Sequence, residues 1–195
     1  MSSRRLVLGL LTASALALAP LPAHAASVTT NDATRDVVAA NFDDASQNRP
    51  EPTREEGDTL SMRITHGTGA VRIRLEAAKL TRDPGQTATH VFALRTNEGT
   101  RADLSIYVDG SRWQGQRMLL VNDKMRTCRG LRTHIDYRAG TVQVKIPRRC
   151  LSNPRWVRVG AGIATDSDSQ LYVDDVSRRG KVGHELALGP RVRRG

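Results

Sequence analysis

Carboxylates hold most of the chemistry that this sequence can offer. They cluster at Asp43-Asp44, Glu55-Glu56-Gly57-Asp58, Asp166-Ser167-Asp168 and Asp174-Asp175. Calcium takes about six to eight oxygen ligands, commonly from carboxylates and carbonyls gathered in loops. Asp166-Ser167-Asp168-Ser169 begins such a D-x-D pattern but lacks the Gly and terminal Glu of an EF-hand loop. A structural calcium there is the one metal expectation. A glycosidase would place two of these acids about 5–10 Å apart across a cleft, so a carboxylate-based hydrolase is the alternative reading. The remaining catalytic patterns are missing. His66, His90, His134 and His184 stand alone, outside HExxH or any two-ligand spacing. No G-x-S-x-G nucleophile elbow occurs, and Gly67-Thr68-Gly69 lacks the spacing and Lys-Ser/Thr of a phosphate loop. We therefore assign no catalytic residue and no organic cofactor. Sugar binding needs exposed aromatics, and aromatics make up only 4% of the chain. Trp113, Tyr107 and Arg112 are the ligand-binding candidates, with Trp113 the best candidate for an exposed platform and packing against the sandwich rim its alternative. Trp156, beside a buried type of strand, is expected in the core.

Elsewhere the chain announces its destination. Arg4 and Arg5 precede an apolar run from Leu6 to Ala19, and Ala23-His24-Ala25 is a small-x-small site with cleavage between Ala25 and Ala26. Residues 1–25 read as a signal peptide. The run is shorter than the roughly 20 residues that span a bilayer, and no later segment qualifies, so no transmembrane segment is expected. The product is expected to be secreted or associated with the cell envelope. Cys128 and Cys150 are the only cysteines. An even pair in an exported chain reads as a disulfide, worth about 3 kcal/mol by loop entropy.

Charge is unevenly distributed. The whole chain carries 30 Lys+Arg and 20 Asp+Glu, a net charge of +10. Residues 26–60 hold three arginines and eight acids, whereas residues 61–195 hold 25 bases and 12 acids. A cationic body outside the cell favours an anionic envelope polymer as partner. Nucleic acid is not expected, because the bases are spread over alternating strand faces without interleaved aromatics.

The elements that must position these groups are strands. Val71, Ile73 and Leu75 alternate with Arg72, Arg74 and Glu76, and Val142, Val144 and Ile146 alternate with Gln143 and Lys145. Leu104, Ile106 and Val108, and Val157 and Val159, repeat the period. Further strands are predicted at His90–Arg95, Arg117–Val121, Leu131–Tyr137 and Gln170–Val173. Turn signals such as Asp83-Pro84-Gly85, Asp109-Gly110 and Ala139-Gly140 separate them. The reading is mainly β: an antiparallel β-sandwich, jelly-roll-like or immunoglobulin-like. It divides the chain into a signal peptide (1–25), an acidic, loosely ordered arm (26–58) and a sandwich with a short basic tail (59–195). The arm, docking on the basic body through charge, would act as a cover. The cysteines would clamp the open end of a hairpin turning at Arg138-Ala139-Gly140.

The segments Cys128-Arg129-Gly130, Thr141–Leu151 and Pro154–Val159, and above all the run IPRRCLSNPRWVRV, resemble small secreted β-sandwich proteins of actinobacteria. The resemblance spans about Leu60–Val173. It implies a paired-cysteine sandwich and an extracellular location, and carries no catalytic residues. The expected function is that of a non-enzymatic binding or structural module that meets an anionic polymer or a glycan.

Overall fold

The computed structural model describes residues 25–167 and 169–195. The expected signal peptide up to His24 and Asp168 of the D-x-D motif lie outside the described residues. Two antiparallel sheets pack face to face. One runs, in spatial order, β1 (Ala26–Asn31), β4 (Thr59–His66), β5 (Ala70–Ala77), β11 (Thr141–Pro147) and β10 (Arg132–Asp136). The other runs β3 (Arg49–Pro50), β2 (Val38–Ala40), β13 (Gln170–Asp175), β12 (Trp156–Ser167), β6 (Thr87–Thr96), β7 (Arg101–Val108), β8 (Gln116–Val121) and β9 (Lys124–Met125). A short β14 (Val192–Arg193) pairs with β12.

Period-two alternation makes the sandwich. Ile73, Leu75, Phe92, Leu94, Leu104, Ile106, Val144, Ile146, Val157 and Val159 all point into one core and are buried. Each such side chain stabilises the fold by roughly 1.5–3 kcal/mol. Truncating Phe92 to Ala would cost about 3–5 kcal/mol, because the rigid sheets cannot close the cavity. The polar residues between them face outward.

The acidic segment differs from its expectation. It is not a loose arm but supplies the edge strand β1 to one sheet and the marginal pair β2 and β3 to the other. β1 pairs with β4 from Ala26↔His66 to Asn31↔Ser61, and β2 pairs with β13. Val37, Val38, Ala39 and Ala40 are fully buried. The segment reads as polar because edge strands keep one face in water. Nor does charge hold it to the body: among the described residues its only ion pair, Arg49 with Glu51, is internal. Backbone ladders and Arg54, stacked 3.7 Å over Tyr172, do that work.

The basic tail is also tied down. After Val176, whose amide bonds Ala161, the chain loops out and returns beside β12, where the Gly189 amide donates to Val159 O. The return requires Gly160, since a Cβ there would collide with the Ala187 carbonyl. Trp156 is not in the core. It is half-buried on the outer side, with Arg191 stacked 4.6 Å over its ring.

Cys128 and Cys150 are disulfide-bonded. Cys128 precedes β10 and Cys150 follows β11 in a short 3-10 turn, Arg148–Leu151, so the bond closes the open end of the β10–β11 hairpin. Its closed end turns through Gly140 at φ +60, where a Cβ would lie 2.5 Å from Ala77 O. Arg148 of the IPRRC run is buried and structural: its guanidinium donates to the carbonyls of Thr68, Asn153 and Pro154 at 2.7–2.8 Å. Among the described residues, no helix is long and apolar enough to cross a membrane.

Candidate functional site

Two places concentrate charge. The first is the outer face of the five-stranded sheet. Antiparallel register sets one row across four strands as Thr65–Arg72–Lys145–Arg132. The next row reads Arg63–Arg74–Gln143–His134. The inward neighbours of these residues are the apolar alternates, so the core forces the cations outward. Five of them line one shallow depression of about 440 Å³. Arg74 is paired with Glu76 at 2.9 Å, and Arg63 donates to the Ser27 hydroxyl at 3.1 Å. Arg72, Lys145 and Arg132 sit side by side, with no ion pair among the described residues. Like charges directly opposite on paired strands destabilise a sheet. Five bases are thus gathered on this face, while most of the others are spread over the rest of the molecule, as the sequence suggests. Neither row contains Phe, Tyr or Trp.

The second place is inside the molecule, where the amino-terminal segment meets β13. Asp32, Asp36 and Asp174 each bring a carboxylate oxygen within 4.8 Å of the others. Asp32 follows β1, Asp36 precedes the buried Val37–Ala40 run, and Asp174 ends β13. Asp174 is 5% exposed. Its Oδ2 accepts from the Thr59 amide at 2.6 Å and lies 2.9 Å from the Thr59 hydroxyl, while its Oδ1 has no donor. The same hydroxyl lies 2.5 Å from Asp32 Oδ2. Burial pushes Asp174 up to about 7, with the Asp32 charge adding to the shift. Burial likewise pushes Asp32 up to about 6, helped by Asp36 and opposed by its Thr59 hydrogen bond. Asp36 is raised by burial and then by Asp58. The amides of Asp36 and Gly180 point towards it and oppose the rise, but neither makes a hydrogen bond to its oxygens. The neighbouring acids are already satisfied. Asp58 takes the Arg35 amide on both oxygens, and Asp175 takes the Ser177 and Ala187 amides and Arg178.

The expected sugar platform does not form as drawn. Trp113 is half-buried against the core, edge-on to Tyr137, whose hydroxyl donates to the Trp113 carbonyl. Its loop is short and lies over the sandwich rim, where apolar contact wins over exposure. Tyr107 is 43% exposed and pairs across strands with Gln116, which also accepts from Arg112 at 3.0 Å. The structure therefore groups Tyr107 with Arg112 and turns Trp113 away. Of the acids, Asp44 caps a surface 3-10 turn (Ala45–Gln47) with Asp43 exposed beside it, and Asp166 lies in β12 facing solvent. His66 and His90 are buried, and both are held below the ordinary imidazole pKa by burial, His90 at about 4. Asp32 and Asp36 were invisible as site residues in the sequence. Their only signal is an i, i+4 acid pair directly before a buried apolar run. Ala26, the residue after the expected cleavage point, is the first residue of β1. No protein-family model, curated protein or solved structure matches this chain.

Proposed function

We propose that the protein is an exported, non-enzymatic β-sandwich module that holds an anionic envelope polymer on the outer face of its five-stranded sheet. One observation carries the reading: Arg72, Lys145 and Arg132 occupy directly paired positions with no acid to neutralise them. A fold keeps such a repulsive row at a cost, and a phosphate- or carboxylate-bearing chain laid across the strands relieves it. The flat, shallow shape suits an extended polymer better than a small ligand. The resemblance to small secreted actinobacterial proteins and the export signal support the same location. The hydrolase reading is less well served, since Asp174, the deepest of the acids that do meet, is buried. The glycan reading rests on Tyr107 and Arg112 without their tryptophan.

The test is retention of mature protein on purified cell wall, polyphosphate and polyglutamate at about 0.15 M salt. Retention should fall steeply with added salt and vanish in Arg72→Glu/Lys145→Glu. Arg126→Glu, on the connection after β9, should bind as the parent does. Salt-independent retention, or equal loss in all variants, sinks the proposal.

A further inference from the structure

We propose that Asp32, Asp36 and Asp174 form a calcium site that staples the amino-terminal segment to the body of the sandwich. The donors are all carboxylate oxygen, the preference of a hard cation. Their span of at most 4.8 Å matches two Ca–O bonds of about 2.3–2.6 Å meeting at a common ion. The acids converge from three separate places: the end of β1, the start of the Val37–Ala40 run, and β13, more than a hundred residues further on.

A cluster of acids alone would say little, since exposed ones are common without an ion. Here the deepest member is 5% exposed and its Oδ1 faces the cluster with no hydrogen-bond donor. Both oxygens of Asp36 also lack one. A buried carboxylate oxygen without a partner is costly. No Lys or Arg among the described residues forms an ion pair with any of the three. The Thr59 hydroxyl underlines the deficit. It lies within 2.9 Å of carboxylates on Asp32 and Asp174 but has one hydrogen to give. A shared cation supplies the missing positive charge to all of these oxygens at once. Asp32 and Asp36 are only half-buried as residues, so the nest lies close to the surface. This site is distinct from the Asp166-containing loop expected from the sequence, and it is independent of the polymer face.

The experiment is thermal unfolding of the mature protein in EGTA, in calcium and in magnesium at matched ionic strength, together with calorimetric calcium titration. At about 100-fold excess over Kd, calcium should raise Tm by roughly 5–10 °C. Asp36→Asn and Asp32→Asn, on half-buried positions that tolerate an amide, should fold and lose the response. Asp166→Asn should keep it. Three results overturn the proposal: equal Tm in EGTA and calcium with no heat of binding, a response that survives Asp36→Asn and Asp32→Asn, or a magnesium response as large as the calcium one. The first of these would mean that shared protons, not a metal, hold the acids together.

Discussion

The two charged regions of this molecule handle like-charge repulsion in opposite ways. On the outer face of the five-stranded sheet, Arg72, Lys145 and Arg132 stand beside one another in water. Solvent and salt weaken their repulsion to tenths of a kcal/mol per pair, and the side chains are long enough to splay apart. In the nest formed by Asp32, Asp36 and Asp174, the same sign of charge is packed on short, buried side chains. There, repulsion and lost hydration move pKa values by whole units. The difference teaches what each region can accept. The face is broad and wet and suits a long, flexible polyanion. The nest is small and rigid and suits a compact ion.

The contrast can be broken by reversing charge on the face. Arg72→Glu/Lys145→Glu should weaken polyanion binding by more than roughly 100-fold, about 3 kcal/mol, and leave the calcium response intact. Retention on polyphosphate and the calcium-dependent Tm, measured on one preparation, check both halves.

A pH series in EGTA sharpens the contrast next. Asp174 at about 7 and Asp32 at about 6 lie above the ordinary aspartate value of 3.8. The fold therefore keeps protons that the unfolded chain has released. Their contribution to stability is full below about pH 4 and is lost as pH rises through 6 to 7. His90 acts in reverse. Its folded value of about 4 lies below 6.5, so its contribution is full above pH 6.5 and is lost as pH falls towards 4. Between these limits the slopes oppose, and the parent profile should be shallow. Asp174→Asn should tilt it by about 2–3 kcal/mol in favour of higher pH, read as urea midpoints from about pH 4.5 to 6.5. The Arg72–Lys145–Arg132 row keeps its charge over the same range, because arginine and lysine stay protonated.

Smaller effects follow from single neutral substitutions. Asp36→Asn should raise metal-free stability by about 1 kcal/mol, since it removes one charge from a crowded buried group. A loss of stability in chelator would show that the carboxylate already has a favourable partner. Arg72→Gln should raise stability by only about 0.2–1 kcal/mol, by relieving its row, and should soften polymer binding without abolishing it. Differential scanning calorimetry resolves that shift, and no shift at all would mean the row is already neutralised.

The contrast also explains what the sequence disclosed. Strand parity was legible because each interior position repeats every second residue, as in Val71, Ile73 and Leu75. The hairpin clamp was legible because Cys128 and Cys150 flank two adjacent strands. The basic face was half-legible. The arginines visibly alternated with core residues, but that they fell on one face depended on the pairings Arg63↔Arg74 and Arg72↔Lys145, which join strands far apart in the chain. The nest was illegible. Asp32 and Asp174 meet only because β1 and β13 are brought to the same end of the sandwich, and a pattern of neighbours holds no such information. The edge strand Ala26–Asn31 was missed for another reason: with one side in water, its threonines and asparagine look like loop. Trp113 stayed open between exposure and packing on the rim, because a single aromatic in a loop has no period to show its direction.

The Cys128–Cys150 bond has a consequence for the polymer face. It fastens β10, an edge strand whose only strand partner is β11 and whose free edge is held by the Gln114 side chain, and β10 carries Arg132 at the end of the Arg72–Lys145–Arg132 row. With the thiols reduced, that margin has one tether fewer, and the row is less firmly held at its outermost charge. Closure of the bond is therefore a condition for the row of cations to be complete at its outer end.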